Sequence, residues 1–265
     1  MSIFESVPNI SEGRDRKKIV ALLDTLRPIK ELKILDHSSD TDHNRSVFTY
    51  IGTRAAVLSA GLALVKKAAE ILDIRAHEGA HPRLGAVDVL PIVPVYQAEM
   101  SEAAALAHEL GGAIQKLGVP VIFYEKAALD PADKNLADVR RKSYNNAHQT
   151  AGVVCVGARN YLVAYNIDLA TQDAAIAKKI AGQIRERGGG LPGVKALGLY
   201  LASRGCAQVS LNLCAPELTG PEKVLAYVKN LAEGAGVKIK GTELIGLLPE
   251  TVAREARKLA GELHE

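Results

Sequence analysis

The sequence predicts an α+β fold in which one βαββαβ unit occurs twice. Three observations predict it. Strand-like and helix-like periodicities alternate in that order over residues 3–124, the order returns over residues 161–239, and a polar stretch with no apolar period of its own lies between.

Ile3 to Val7 reads as a short strand, and Arg14 to Leu26 as a helix, because Ile19, Leu22, Leu23 and Leu26 recur at helical spacing. Ser11 is the expected cap of that helix. Two β-branched runs, Leu32 to Asp36 and Ser46 to Ile51, flank a polar loop. Arg54 to Leu72 carries one apolar stripe of Val57, Leu64, Val65 and Ala68 and reads as a second helix. Val87 to Val95 completes a βαββαβ order, the ferredoxin-like arrangement of two helices on one face of an antiparallel sheet. A helix over Ser101 to Leu117 and a strand over Val119 to Tyr124 extend this half.

The second half repeats the order. It begins with a strand at Tyr161 to Ile167 and a helix at Gln172 to Arg187. A hairpin of Val194 to Leu201 and Ala207 to Leu213 follows, then a helix at Pro221 to Ala235, with Pro221 in its first turn. Val237 to Ile239 reads as a short closing strand. The polar segment Asp130 to Thr150 is expected to be a linker, dividing the chain into subdomains 1–150 and 151–265.

Composition narrows the function. The chain has 265 residues, 48% of them apolar and 24% charged, with a net charge of +3. That balance argues against nucleic acid as a partner, and the absence of Trp with only 4% aromatic residues argues against a base-stacking surface. Three cysteines are too few for a disulfide framework. No apolar run approaches the roughly 20 residues a membrane span needs, and the first residues have no secretory pattern, so a cytoplasmic protein is expected.

Polar residues gather in three stretches. Val7 to Arg14 offers Asn9, Glu12 and Arg14 as ligand candidates. Asp40-Thr41-Asp42-His43-Asn44-Arg45 carries more hydrogen-bonding groups than a hairpin turn requires, and Asn44 and Arg45 present planar donors suited to a carboxylate or an amide-like heterocycle. Arg75 to Asp88 contains His77-Glu78-Gly79-Ala80-His81, which matches the His-Glu-x-x-His zinc signature. That signature needs two His on one helix face. Gly79 inside the segment and Pro82 after it predict a loop instead, so no metal is expected. His77 and His81 are then acid–base candidates, since an imidazole titrates near pH ~6.5. In the second half Gln208, Ser210 and Asn212 alternate with apolar residues and share one strand face.

These segments carry a resemblance. Val7 to Arg14, Asp42 to Val47, Glu78 to Asp88, Gly157-Ala158-Arg159, Tyr165-Asn166-Ile167, Ala207 to Asn212 and Gly241 to Pro249 resemble, in this order, the glutamate formiminotransferases. The resemblance implies two tandem ferredoxin-like subdomains with a cleft or tunnel between them, in a homodimer. It implies transfer of a formimino group from N-formimino-L-glutamate to N5 of tetrahydrofolate, a step of histidine degradation and one-carbon metabolism. Tetrahydrofolate would be the co-substrate and a separate cyclodeaminase a partner. The catalytic His of the family corresponds to His81. For that reaction Arg45 and Arg83 suit substrate carboxylates, Asp40 or Asp42 suits an orienting role, and Asn9, Asn44, Asn166, Gln208 and Asn212 suit neutral hydrogen bonds. One departure stands out: where the family carries a longer Trp-containing loop associated with folate, this chain has only Arg141 to Val156. The departure leaves open a folate-independent enzyme or small-molecule binder of the same fold. The histidine pair leaves open a zinc hydrolase.

Overall fold

A computed structural model of the protein describes residues 1–263. The chain divides into two compact units, one formed by residues 1–159 with the segment from Glu250 onward, the other by residues 160–249.

In the first unit the elements run β1 (Ile3–Ser6), β2 (Asn9–Ile10), α1 (Arg16–Asp24), β3 (Leu32–Asp40), β4 (Arg45–Thr53), α2 (Arg54–Ile71) and β5 (Val87–Tyr96). β4 pairs antiparallel with both β3 and β1, and β1 with β5, so β1 lies between β4 and β5. The extension, α3 (Met100–Gln115) and β6 (Val121–Glu125), brings the chain to β7 (Val154–Ala158), which lies parallel between β5 and β6. Alternation sorts the side chains. Leu90, Ile92, Val154 and Val156 join the core formed with α1, α2 and α3, while Val89 and Cys155 pack on Tyr124 and Val139 elsewhere. Each large apolar side chain in that core contributes about 1.5–3 kcal/mol by leaving water.

Two expectations for this unit are corrected. Asp15, not Ser11, caps α1: its carboxylate accepts from the Lys17 and Lys18 amides at 2.9 and 3.3 Å. The Ser11 hydroxyl donates instead to the Gly85 carbonyl at 2.6 Å, tying the loop before α1 to the loop before β5. Nor is 130–150 a free linker. It contains a short helix, α4 (Leu136–Val139), whose Val139 is buried in the small cluster with Val89, Tyr124 and Cys155. The division therefore falls after Arg159 and not at 150, because β7 is bonded into the first sheet.

The second unit runs β8 (Val163–Leu169), α5 (Ala174–Ile184), β9 (Val194–Leu201), β10 (Cys206–Leu213), α6 (Pro221–Gly234) and β11 (Ile239–Ile245), in the sheet order β11-β8-β10-β9. β8 thus sits between the last strand and the third, the place β1 holds in the first unit. The hairpins β3–β4 and β9–β10 are equivalent in this order, as the repeat predicts. β11 is longer than the expected 237–239 because Thr242, Glu243 and Leu244 pair with β8. A further helix, α7 (Pro249–Glu262), returns to the first unit and has no counterpart among the predicted elements. It buries Val252, Ala256, Leu259 and Ala260, and its Glu255 bonds Lys33 of β3 at 3.0 Å.

Candidate functional site

Three loops of the first unit are bonded to one another around Asn44. Its Oδ1 accepts from the Gly13 amide at 3.0 Å, and its Nδ2 donates to the Glu78 carbonyl at 3.0 Å and faces His77 Nδ1 at 3.4 Å. Asn44 adopts φ +45°, a left-handed backbone that Asn tolerates better than most side chains. The Ala80 amide donates to the Asp42 carbonyl at 3.0 Å, and Arg14 Nε to the Thr41 carbonyl at 3.0 Å. Asp40 accepts from the His43 amide at 2.7 Å. Glu12 accepts from the Arg14 and Asp15 amides at 2.8 and 2.9 Å, closing its own turn.

These contacts hold residues 77–81 in an irregular path after the single 3₁₀ turn Ile74–Ala76. The predicted loop is present, so His77 and His81 do not share a helix face in the way the zinc signature uses. His264, a conceivable third ligand, lies outside the described residues.

His81 Nδ1 lies 3.1 Å from the Pro82 carbonyl. A carbonyl only accepts, so Nδ1 carries the proton and the Nε2 lone pair is left for other work. The ring borders an open hollow of about 360 Å³ with Ile74, His77, Glu78, Pro82 and Arg83. Burial pushes the His81 pKa down to about 3, and the positive charges of Arg140, Arg83 and Arg45 act in the same direction. His77 is lowered as well, first by burial and then by Arg83.

Behind the loop stands Asp88 on β5, with a side chain 0% exposed. It accepts from the Leu84 amide at 2.7 Å and pairs with Arg83 at 3.4 Å. Its second cationic partner is Arg140, from the turn that ends α4, whose Nη2 donates to the same carboxylate oxygen. Burial alone would raise the Asp88 pKa, but the Arg140 and Arg83 charges and the Leu84 bond bring it below the usual carboxylate value. Arg83 is 3% exposed in its side chain, and burial lowers its pKa to about 10. Arg83 Nε and Nη2 and Arg140 Nε are buried without a hydrogen-bond partner. Buried guanidinium donors without acceptors are costly, and an arriving anion would satisfy them.

The structure therefore gathers Glu12, Arg14, Asp40, Asp42, Asn44, Arg45, His81 and Arg83 into connected loops, but gives them different work. Asn44 bonds the Gly13 and Glu78 backbones and faces His77, while Glu12 bonds the amides of its own turn and lies 3.9 Å from Lys18. Asn9 is half-buried on β2. Asn166, Gln208 and Asn212 belong to the second unit. There Asn166 Nδ2 donates to Glu243 at 3.3 Å, Gln208 Nε2 donates to Asp168 at 2.8 Å, and Arg204 bridges both acids. Asn212, on the same strand as Gln208, is exposed. Asp88 and Arg140, to which the sequence reading assigns no individual role, complete the cluster at Arg83. A charge inside the buried strand run Ala86-Val87-Asp88-Val89 was the available signal, since a fully buried carboxylate requires a partner.

Comparison with known proteins agrees with this organisation. The family profile described as the formiminotransferase domain, N-terminal subdomain, matches residues 3–159, and that described as the formiminotransferase domain matches residues 164–259. The chain is 37% identical to a glutamate formimidoyltransferase of Thermoplasma acidophilum, with 97% of this chain and 92% of that protein covered. It is 39% identical to a glutamate formimidoyltransferase of Streptococcus pyogenes, covering 93% and 89%. Against the formimidoyltransferase-cyclodeaminase of Gallus gallus it is 34% identical, covering 96% of this chain and 51% of the longer protein.

Proposed function

The chain belongs to the formiminotransferase family, and from that premise we propose that it is a glutamate formiminotransferase with His81 as its proton-transfer group. It moves the formimino group of N-formimino-L-glutamate to tetrahydrofolate, a step that serves histidine degradation and one-carbon metabolism. The observation that carries the assignment is the state of His81. Its Nδ1 is committed to the Pro82 carbonyl, which leaves a neutral Nε2 beside a hollow walled by Arg83.

Bound tetrahydrofolate supplies the nucleophilic amine N5. Everything else is done by the chain. His81 Nε2 takes the proton that N5 loses as its bond to the amidine carbon forms. The same imidazolium returns a proton to the glutamate nitrogen as the old carbon–nitrogen bond breaks, so charge and atoms balance without another reactant. One imidazole in this double role contributes about 10²–10⁴-fold. Arg83 and Arg45 hold substrate carboxylate, which both the donor and the folate carry, and the unpaired donors of Arg83 fit that chemistry. The backbone-bonded Asn44 and Glu12 keep the loops in register, and the Pro82 carbonyl holds the His81 ring at Nδ1.

Further expectations accompany this reading: a homodimer, a cytoplasmic setting, and a separately encoded cyclodeaminase acting next. The chicken relative, whose name joins both activities, supports the last. Among the described residues no helix is long and apolar enough to cross a membrane. Within 141–156, where the resemblance leads one to expect a longer loop, His148 and Gly152 pair through their backbones at 3.0 and 2.9 Å. Calorimetric titration with tetrahydrofolate, paired with a formimino-transfer assay, tests the reading. Saturable binding and turnover are expected. Absence of binding up to millimolar folate would replace this function with a folate-independent one.

A further inference from the structure

Arg140 comes from the stretch whose composition reads as a linker. In the structure it is 16% exposed in its side chain and donates to Asp88. Its neighbour on that carboxylate is Arg83, which lines the hollow beside His81. Two guanidiniums share one carboxylate, so the cluster keeps a net positive charge in a buried place. Asp88 Oδ1 accepts from the Leu84 amide and Oδ2 from both arginines, and none of their remaining donors reaches it. Three donors, Arg83 Nε, Arg83 Nη2 and Arg140 Nε, remain without partners. Planar, charged and fixed donors of this kind match a carboxylate.

We propose that Arg83 and Arg140, held in place by Asp88, form the subsite for a carboxylate of the amino-acid donor, with Arg140 a specificity residue delivered by the 130–149 segment. The proposal rests on the transferase reading above and adds to it the residue that recognises the donor. Asp88 is a positioning residue in this scheme: it fixes the arginines and touches no substrate. Discrimination follows from charge, because an amide in place of the carboxylate would leave the buried cations uncompensated.

Calorimetry with L-glutamate, glutarate and glutaramide, alongside formimino-transfer kinetics, tests the subsite in the full chain. Wild-type protein should bind glutamate and glutarate but not the diamide. Arg140→Gln should weaken glutarate binding and raise KM for the donor about tenfold to a hundredfold, the size of a lost charge-assisted bond, with tetrahydrofolate affinity unchanged. Arg140→Lys, which keeps the charge and loses the fork, should recover part of the affinity and guards against a folding defect in the glutamine variant. Normal transfer with donor KM and glutarate affinity unmoved in both variants would overturn the subsite and leave the transferase reading standing. Arg140-dependent glutarate binding in a protein without transfer activity would uphold the subsite and overturn that reading. Neither binding nor transfer would overturn both.

Discussion

Gly79 stands against the backbone of His43 so closely that a Cβ added to it would lie 2.4 Å from the His43 carbonyl oxygen. The same Cβ would come within 3.2 Å of His77 Nε2. Backbone cannot yield as a flexible side chain can. Gly79→Ala is therefore expected to displace residues 77–81, costing about 1–3 kcal/mol of stability. It should lower kcat/KM further than that cost implies, because a 1 Å shift of a reacting group is felt directly. Denaturant unfolding together with steady-state kinetics checks this; full activity in the variant would show that the loop has slack.

His81→Ala should reduce turnover by about two to four orders of magnitude while leaving folate affinity nearly unchanged. The imidazole acts on protons in transit and not on the pterin. A parallel loss of folate affinity would mean that the ring is a binding group.

The depressed His81 pKa sets a pH dependence of stability with a definite sign. In the unfolded chain the imidazole titrates near its ordinary 6.5, whereas in the folded protein burial and the three arginines hold it near 3. Between those values the unfolded state binds the extra proton, so stability on this account is flat above pH ~6.5 and falls as the pH drops. His81→Ala should flatten the acid side of an unfolding free-energy profile measured from pH 7 to pH 4.5. In catalysis, a bound substrate carboxylate offsets the arginine charges and raises the pKa of His81. The acid limb of kcat should then lie at higher pH than that of kcat/KM, since the former reports the substrate complex and the latter the free enzyme. Coincident limbs would mean that the substrate carries no charge into reach of His81.

Asp88→Asn should be among the most damaging single substitutions in the first unit. It strands the Arg83 and Arg140 guanidiniums without their shared counter-ion, at a cost of about 3–5 kcal/mol. Combining it with Arg140→Gln should cost less than the sum of the two, because one of the stranded charges is gone. Additive losses in a double-mutant cycle would deny the coupling.

Much of the fold is legible from period alone. The hairpin at Val194–Leu201 and Cys206–Leu213 follows from alternation, and α2 from its apolar stripe. What escapes is structure made by distant partners. The 130–149 stretch reads as a linker because its attachments, Val139 with Leu136 and Tyr144 on the small cluster and the Arg140 ion pair to Asp88, leave no local period. α7 is short of large apolar residues and hides behind its charges. At the site, residue type shows where polar groups concentrate but not whom they serve. Asn44 and a ligand-binding asparagine look alike until the Gly13 amide and the Glu78 carbonyl are seen on either side of it. Arg83 could be read from its motif, whereas Arg140 needs the fold to bring it fifty-two positions back to Asp88.

The return of α7 to the first unit has a consequence for how the protein is made. Residues 160–249 form their own unit and are threaded between two parts of another. A ribosome delivers the first sheet early, then synthesises the whole of the second unit before Val252, Ala256 and Leu259 emerge. Until then Lys33 waits for Glu255, and the apolar surface that α7 will cover remains open to chaperones or to other nascent chains. The unit that carries His81 begins folding before the second unit and gains α7 only after it.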